Sequence, residues 1–346
     1  MIGLDAWALR MSRIYLGNMS KQVCRVLPAL ALACLMVACA KIDLAPHLLP
    51  LSKDTQMLLG KKGMDPQSPI FIRVFKEESE LEIWKQRDDG RFYHLKTYPI
   101  CNWSGDLGPK TRQGDHQAPE GFYAVTREQM KPDSKYHLAL NLGYPNAYDK
   151  AHRRTGEFLM IHGNCKSVGC YAMTDALIEE IYAIARESFL GGHDSIQVHA
   201  FPFRMTADNM ARHANHEAAP FWATLKEGYD YFELTRQAPA VAVCNRRYVV
   251  NVSLPGADPR VDLARLNPEG ACPAFYRPKP DPFRPRPGEE LASDQRIVVP
   301  GPKTRDLAGT ERGTQRASGL TNSAPTPVFG FVRNGTTPSM SFAPEK

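Results

Sequence analysis

The chain has 346 residues, 43% hydrophobic and 23% charged, with a formal net charge of +6. The positive excess sits at the ends: residues 277–346 hold eleven Lys/Arg against seven Asp/Glu, and residues 1–40 hold four against one. Residues 41–276 are therefore close to neutral, so the overall basicity is no argument for nucleic-acid binding, while their number suffices for one sizeable domain.

At the N-terminus, Arg10, Arg13, Lys21 and Arg25 precede an apolar run over 26–38, and the small residues Ala38, Cys39 and Ala40 close it. A basic region, a short apolar run and small residues form the pattern of an export signal, here residues 1–40 with cleavage after Ala40. The run, about thirteen residues, falls short of the roughly twenty that span a bilayer. Met36-Val37-Ala38-Cys39 also resembles a bacterial lipobox, which would make Cys39 an acylated membrane anchor. The basic region is long, so Met11 and Met19 stand as alternative starts. Residues 41–69 read as a lead-in.

The next stretch is strand-rich. Ile70–Phe75 is apolar, 81–85 repeats it after a polar break, and Asp88-Asp89-Gly90 is a hairpin signal before a further strand over 92–100. More strands are expected at 121–126, 137–142 and 158–162. A helical period covers 174–189, with Ala176, Leu177, Ile181, Ile184 and Ala185 on its buried face and Thr174 as N-cap. A strand over 195–201 follows, then helices over 206–213 and 217–236, the second weakened by Gly228, and a hairpin within 241–252. The fold class expected is mostly β with α (α+β): a β-rich domain over 70–204 with one packed helix, then a helical annex with a short hairpin over 205–276. Residues 277–346 carry eleven of the 28 prolines and read as a disordered, Pro-rich basic tail. Between 101 and 115 lies a long loop dense in turn formers; its Trp103 either lines a cleft or packs under a surface loop.

The chemistry concentrates in His162-Gly163-Asn164-Cys165-Lys166-Ser167-Val168-Gly169-Cys170, which places an imidazole, a thiol and a small-residue turn within nine residues. A thiol needs a nearby base to become nucleophilic, and a glycine before it leaves backbone N–H groups accessible to an oxyanion. Cleavage after Ala40 leaves five cysteines, 101, 165, 170, 244 and 272, and an odd number leaves at least one thiol free. Cys244 with Cys272 and Cys101 with Cys165 are plausible bridges that would leave Cys170 unpaired. Three other readings stand beside this one. Zinc would be held by His162, Cys165 and Cys170 with His152 or His199, without the CxxC pair usual in structural sites. A Cys165–Cys170 bridge would carry no catalysis, and His162 alone at a strand end would be a structural histidine. No phosphate-loop pattern follows any expected strand.

Ile161-His162-Gly163 followed by Ser167-Val168-Gly169-Cys170 resembles the HG…S-H-G-C signature of YkuD-type L,D-transpeptidases, bacterial cysteine acyltransferases that work on peptidoglycan. Cys101-Asn-Trp-Ser104, Leu107-Gly-Pro-Lys110, Arg112-Gln-Gly-Asp115, Pro119-Glu-Gly-Phe-Tyr123, Tyr144-Pro-Asn-Ala-Tyr-Asp149, Cys170-Tyr-Ala-Met-Thr-Asp175 and Phe201-Pro-Phe-Arg-Met-Thr206 resemble its YafK-type branch, over about residues 65–236. The resemblance implies the β-rich YkuD catalytic fold, Cys170 as nucleophile and His162 as base and later proton donor. It further implies that Gly169 and the Cys170 amide contribute to the oxyanion hole and that Ser167 shapes the turn. Trp103, Tyr171 and Gly163 are expected to contact substrate. The implied partners are peptidoglycan stem peptides, attacked at meso-diaminopimelate, and murein-bound lipoprotein. The implied location is the periplasm or cell envelope of a Gram-negative bacterium. No cofactor, metal or nucleic acid is implied. Two departures bear on outcome: Val168 stands where the family pattern has His, and Ala172 where it has Arg. The YafK-type branch is associated with hydrolysis that releases envelope lipoprotein. The alternatives are a transpeptidase that forms 3–3 crosslinks or anchors lipoprotein, and a non-catalytic murein-binding envelope protein.

Overall fold

The computed structural model describes residues 44–255 and 266–285. The expected export signal with Cys39, and the expected tail beyond 285, lie outside the described residues. Helix α1 (Lys53–Lys61) leads into strands β1 (Ile70–Phe75), β2 (Glu80–Gln86) and β3 (Phe92–Pro99). Next come β4 (Asn102–Trp103), the long loop, β5 (Gly121–Thr126), β6 (Met130–Lys131) and β7 (Ala139–Asn141). Helix α2 (Ala147–Ala151), β8 (Met160–His162), β9 (Tyr171–Ala172), helix α3 (Asp175–Leu190) and β10 (Ser195–Phe201) follow. Helices α4 (Ala207–Arg212) and α5 (Ala219–Thr235) precede the hairpin β11 (Val241–Cys244) and β12 (Arg247–Val250).

Two five-stranded mixed sheets result. The first has the order β3-β2-β1-β10-β5, with β1 and β10 parallel; the second, β4-β9-β8-β7-β6, has β8 and β9 parallel. The architecture is β-rich α+β. All six residues of β1 are buried, because both faces of the first sheet are covered. Ile70, Ile72 and Val74 join the main core with Leu140 and Ile161 of the second sheet and Ile178 and Ile181 of α3. On the other face Phe71 meets Phe232 of α5 at 4.7 Å between ring centroids. There too the buried Arg73 guanidinium pairs with Glu233 at 2.7 Å and lies 4.7 Å from the Tyr229 ring. The C-terminal helices are therefore a covering layer of the first sheet. Thr174 caps α3 as expected, its Oγ1 accepting the Leu177 N–H.

The short elements β4, β6, β9 and α2 lie outside the expected elements, and two longer stretches also differ from expectation. The lead-in 41–69 contains α1, whose Ser52 cap accepts the Thr55 N–H and whose Leu59 is buried in the main core; Thr55 donates to Glu180 of α3 at 2.6 Å. Nine residues give too few helical turns for a clear apolar stripe, so tertiary docking decides this helix. The start of the Pro-rich tail, 277–285, is also placed on the body. The Phe283 N–H donates to Leu234 O at 2.7 Å, its ring packs edge-on against Tyr93, and Arg91 pairs with Asp281. Proline removes ladder donors but leaves such isolated contacts available.

Candidate functional site

The site forms where β8 and β9 run side by side, with Ile161 beside Tyr171 and His162 beside Ala172. Cys170 immediately precedes β9, one strand across and two residues back from His162. Strand spacing of about 4.8 Å and a rise of about 3.3 Å per residue put their α-carbons on the order of 8 Å apart, on the same face of the sheet.

His162 is buried, and its Nδ1 lies 2.6 Å from Gly163 O. A carbonyl only accepts, so Nδ1 carries the hydrogen and Nε2 keeps the lone pair of the neutral ring. The Tyr136 ring stacks on the imidazole, centroids 4.7 Å apart. Burial lowers the His162 pKa below its ordinary value, with the Gly163 contact acting in the opposite sense. Cys170 is half-buried and is the free cysteine among the described residues. Its thiol donates to Phe158 O at 3.7 Å. Burial raises its pKa, while the Met160 backbone and the Lys110 ammonium pull the other way.

The turn before Cys170 is held by hydroxyls. The Ser167 Oγ donates to Cys170 O at 2.7 Å and accepts the Cys170 N–H at 3.2 Å. The Gly169 N–H donates to Ser104 Oγ, and the two serine oxygens lie 3.1 Å apart. Gly169 has φ +107°, a conformation that glycine adopts without the penalty of a side chain. The amides expected to face an oxyanion thus already have partners. This corrects the expectation of open donors at Gly169 and Cys170: loop 101–115 reaches over and supplies Ser104.

Disulfides join Cys101 to Cys165 and Cys244 to Cys272. With Cys165 bridged to Cys101, neither the zinc donor set nor a Cys165–Cys170 bridge forms. The other candidate ligands are elsewhere: His152 contacts Arg246 O at 2.8 Å, and His199 lies between the Phe71 and Phe122 rings.

The expected substrate contacts fare differently. Tyr171 is fully buried in the main core and its hydroxyl donates to Pro119 O, so it cannot touch substrate. Gly163 is likewise buried; a Cβ there would lie 2.6 Å from Asp175 Oδ1 and 3.0 Å from Tyr136 O. Its smallness lets Asp175, at the start of α3, come close and accept the Asn164 N–H at 2.7 Å. Trp103 is half-buried, packs against the main core and donates to Ser79 Oγ at 3.2 Å, a packing role. The sequence reading did not single out Tyr136, Asp175 or Ser104 as site residues. Ser104 and Asp175 lie in motifs that carry the family resemblance, whereas Tyr136 carries no local signal.

Residues 70–194 match the model of the YkuD L,D-transpeptidase catalytic domain. Over 231 residues, 65% of this chain and 91% of the relative, the sequence is 47% identical to an Escherichia coli (strain K12) protein named "Putative L,D-transpeptidase YafK". The chain belongs to the YkuD L,D-transpeptidase family. Among solved structures, it is similar to the helical cell shape determining protein Pgp2 from Campylobacter jejuni: 22% identity, 42% of this chain, 54% of that one, TM-score 0.31. It is also similar to Bdellovibrio bacteriovorus Bd1075: 22% identity, 46% of this chain, 54% of that one, TM-score 0.26. Likeness at that level carries no argument about activity.

Proposed function

We propose that this chain is an exported, periplasmic cysteine acyl-enzyme acting at meso-diaminopimelate in peptidoglycan stem peptides, where it hydrolyses the amide to a covalently attached envelope protein. The observation that carries this reading is the juxtaposition of the free Cys170 with His162, whose Nδ1 is tied to Gly163 O so that Nε2 is left as the base. His162 Nε2 takes the thiol proton as sulfur attacks the carbonyl carbon. The tetrahedral intermediate collapses with loss of the amine, protonated by the same imidazole, leaving a thioester. Water, deprotonated by His162, resolves it and returns the thiol.

Water is favoured over an amine acceptor by Ala172, which is buried beside His162 where the family pattern has Arg. The Arg of the family pattern would be a fixed bidentate donor able to orient a carboxylate such as that of a second diaminopimelate, and its replacement removes that donor from this position. The basic N-terminal pattern supports export, and Cys39 would supply a lipid anchor.

The test is incubation with sacculi carrying bound lipoprotein, followed by mass analysis. Released protein is the expected product, and new diaminopimelate–diaminopimelate links would replace hydrolysis by transpeptidation. Cys170→Ala and His162→Ala are each expected to lower release by on the order of a thousandfold or more while circular dichroism stays native. Wild-type release by Cys170→Ala removes the mechanism.

A further inference from the structure

The hydroxyl network beneath the nucleophile has a single consistent polarity. A serine has one proton and two acceptor lone pairs. The Ser167 proton is directed to Cys170 O, since a carbonyl only accepts. The contact between the two hydroxyls must then be donated by Ser104, whose oxygen in turn accepts the Gly169 N–H. Ser167 Oγ thus receives two protons, one from Ser104 and one, by the longest of the four contacts, from the Cys170 N–H at 3.2 Å. If the Cys170 amide turned to a substrate oxyanion, Ser167 would still be satisfied by Ser104, and Gly169 would still be clamped.

We propose that Ser104 is a positioning residue for acyl transfer: it clamps the Gly169 amide and supplies the proton that lets Ser167 release the Cys170 N–H to the developing oxyanion. The inference rests on the reading of Cys170 as nucleophile. Ser104 acts through Ser167 and the Gly169 amide, while the Cys170 thiol is hydrogen-bonded to Phe158 O. It is carried to the turn by β4, which pairs with β9, and by the Cys101–Cys165 bridge three residues upstream. Its carbonyl accepts the Ala118 N–H at 2.9 Å, which fixes its backbone from the other side.

Two reactions of the same thiol separate this role from a merely structural one. Acylation by a p-nitrophenyl ester passes through an oxyanion; alkylation by iodoacetamide does not. In the full chain, Ser104→Ala is expected to slow nitrophenolate release about tenfold to a hundredfold while alkylation of Cys170 changes by less than about twofold, and Ser104→Thr, which keeps the hydroxyl, is expected to restore acylation. Disulfide mapping of each variant verifies the Cys101–Cys165 bridge. The inference is overturned if Ser104→Ala acylates at the wild-type rate, if both reactions fall together, or if Ser104→Thr gives no rescue. A wild-type protein whose Cys170 alkylates but never acylates removes the acyl-enzyme reading itself, and this inference with it.

Discussion

At Cys170 and His162 the same burial acts in opposite senses, raising the thiol pKa and lowering the imidazole pKa. Both effects favour the uncharged form, so a neutral thiol and a neutral imidazole, rather than an ion pair, are the expected resting forms. Under the proposed mechanism, sulfur loses its proton during attack. Turnover is expected to stay flat through neutral pH and to fall on the acid side only below the ordinary imidazole range, where His162 is finally protonated. Alkylation by iodoacetamide, which needs preformed thiolate, is expected to rise only above the ordinary thiol range. An alkylation rate already saturated at neutral pH would contradict the neutral pair. Tyr171 gives a second test at this scale. As a core residue hydrogen-bonded to Pro119 O, it is expected on Tyr171→Phe to lose about 1–2 kcal/mol of stability in urea unfolding, with KM unchanged. A raised KM would return it to the substrate.

At the scale of elements, the turn before Cys170 depends on its neighbours. Asn164 and Cys165 both have positive φ, an uncommon conformation for side chains other than glycine. The loop carrying them is held by Asp175 of α3, by Ser104, and by the bridge from Cys165 to Cys101. That bridge spans 64 residues of sequence, and replacing both cysteines by serine is expected to cost about 4 kcal/mol through the freed unfolded chain. Because Ser104 follows Cys101 so closely, the double variant is expected to lose turnover under conditions where it remains folded. Full turnover with the expected loss of stability would show that β4 holds the loop unaided. Below the loop, Lys76 and Glu120 form a fully buried pair at 3.0 Å. Glu120 also accepts the Gly108 and Trp222 N–H groups, each at 2.7 Å, which ties helix α5 to the segment that bears Ser104.

For the whole molecule, the first sheet is closed on both faces, and this sets a cost for acidification. His199 of β10 is buried, and desolvation, with the nearby Arg73 cation, drives its pKa well below the ordinary value. The unfolded chain binds a proton there that the folded chain cannot, so this contribution to stability is present above the ordinary histidine range and lost as pH falls through it. Tm is expected to drop between about pH 7 and about pH 5, and more shallowly in His199→Gln. Equal slopes in calorimetry would assign the acid sensitivity to other groups.

Local pattern determined much of this protein. The apolar run of β1, the Asp-Asp-Gly turn and the Thr174 cap are written in a few adjacent residues, and so is the pairing of an imidazole with a thiol across a small-residue turn. Strands of two or three residues, such as β4, β6 and β9, are too short to show a period, and they are among the elements that local pattern did not mark. The sequence placed an imidazole and a thiol in one short motif; only the fold decided that Tyr171 points into the core and that Gly163 makes room for Asp175. Only the fold, too, brings a serine from 65 residues upstream to hold the Gly169 amide. The reason is physical: hydrogen-bond polarity and burial depend on which distant segments share a sheet, and two strands set side by side leave no trace in the spacing of either.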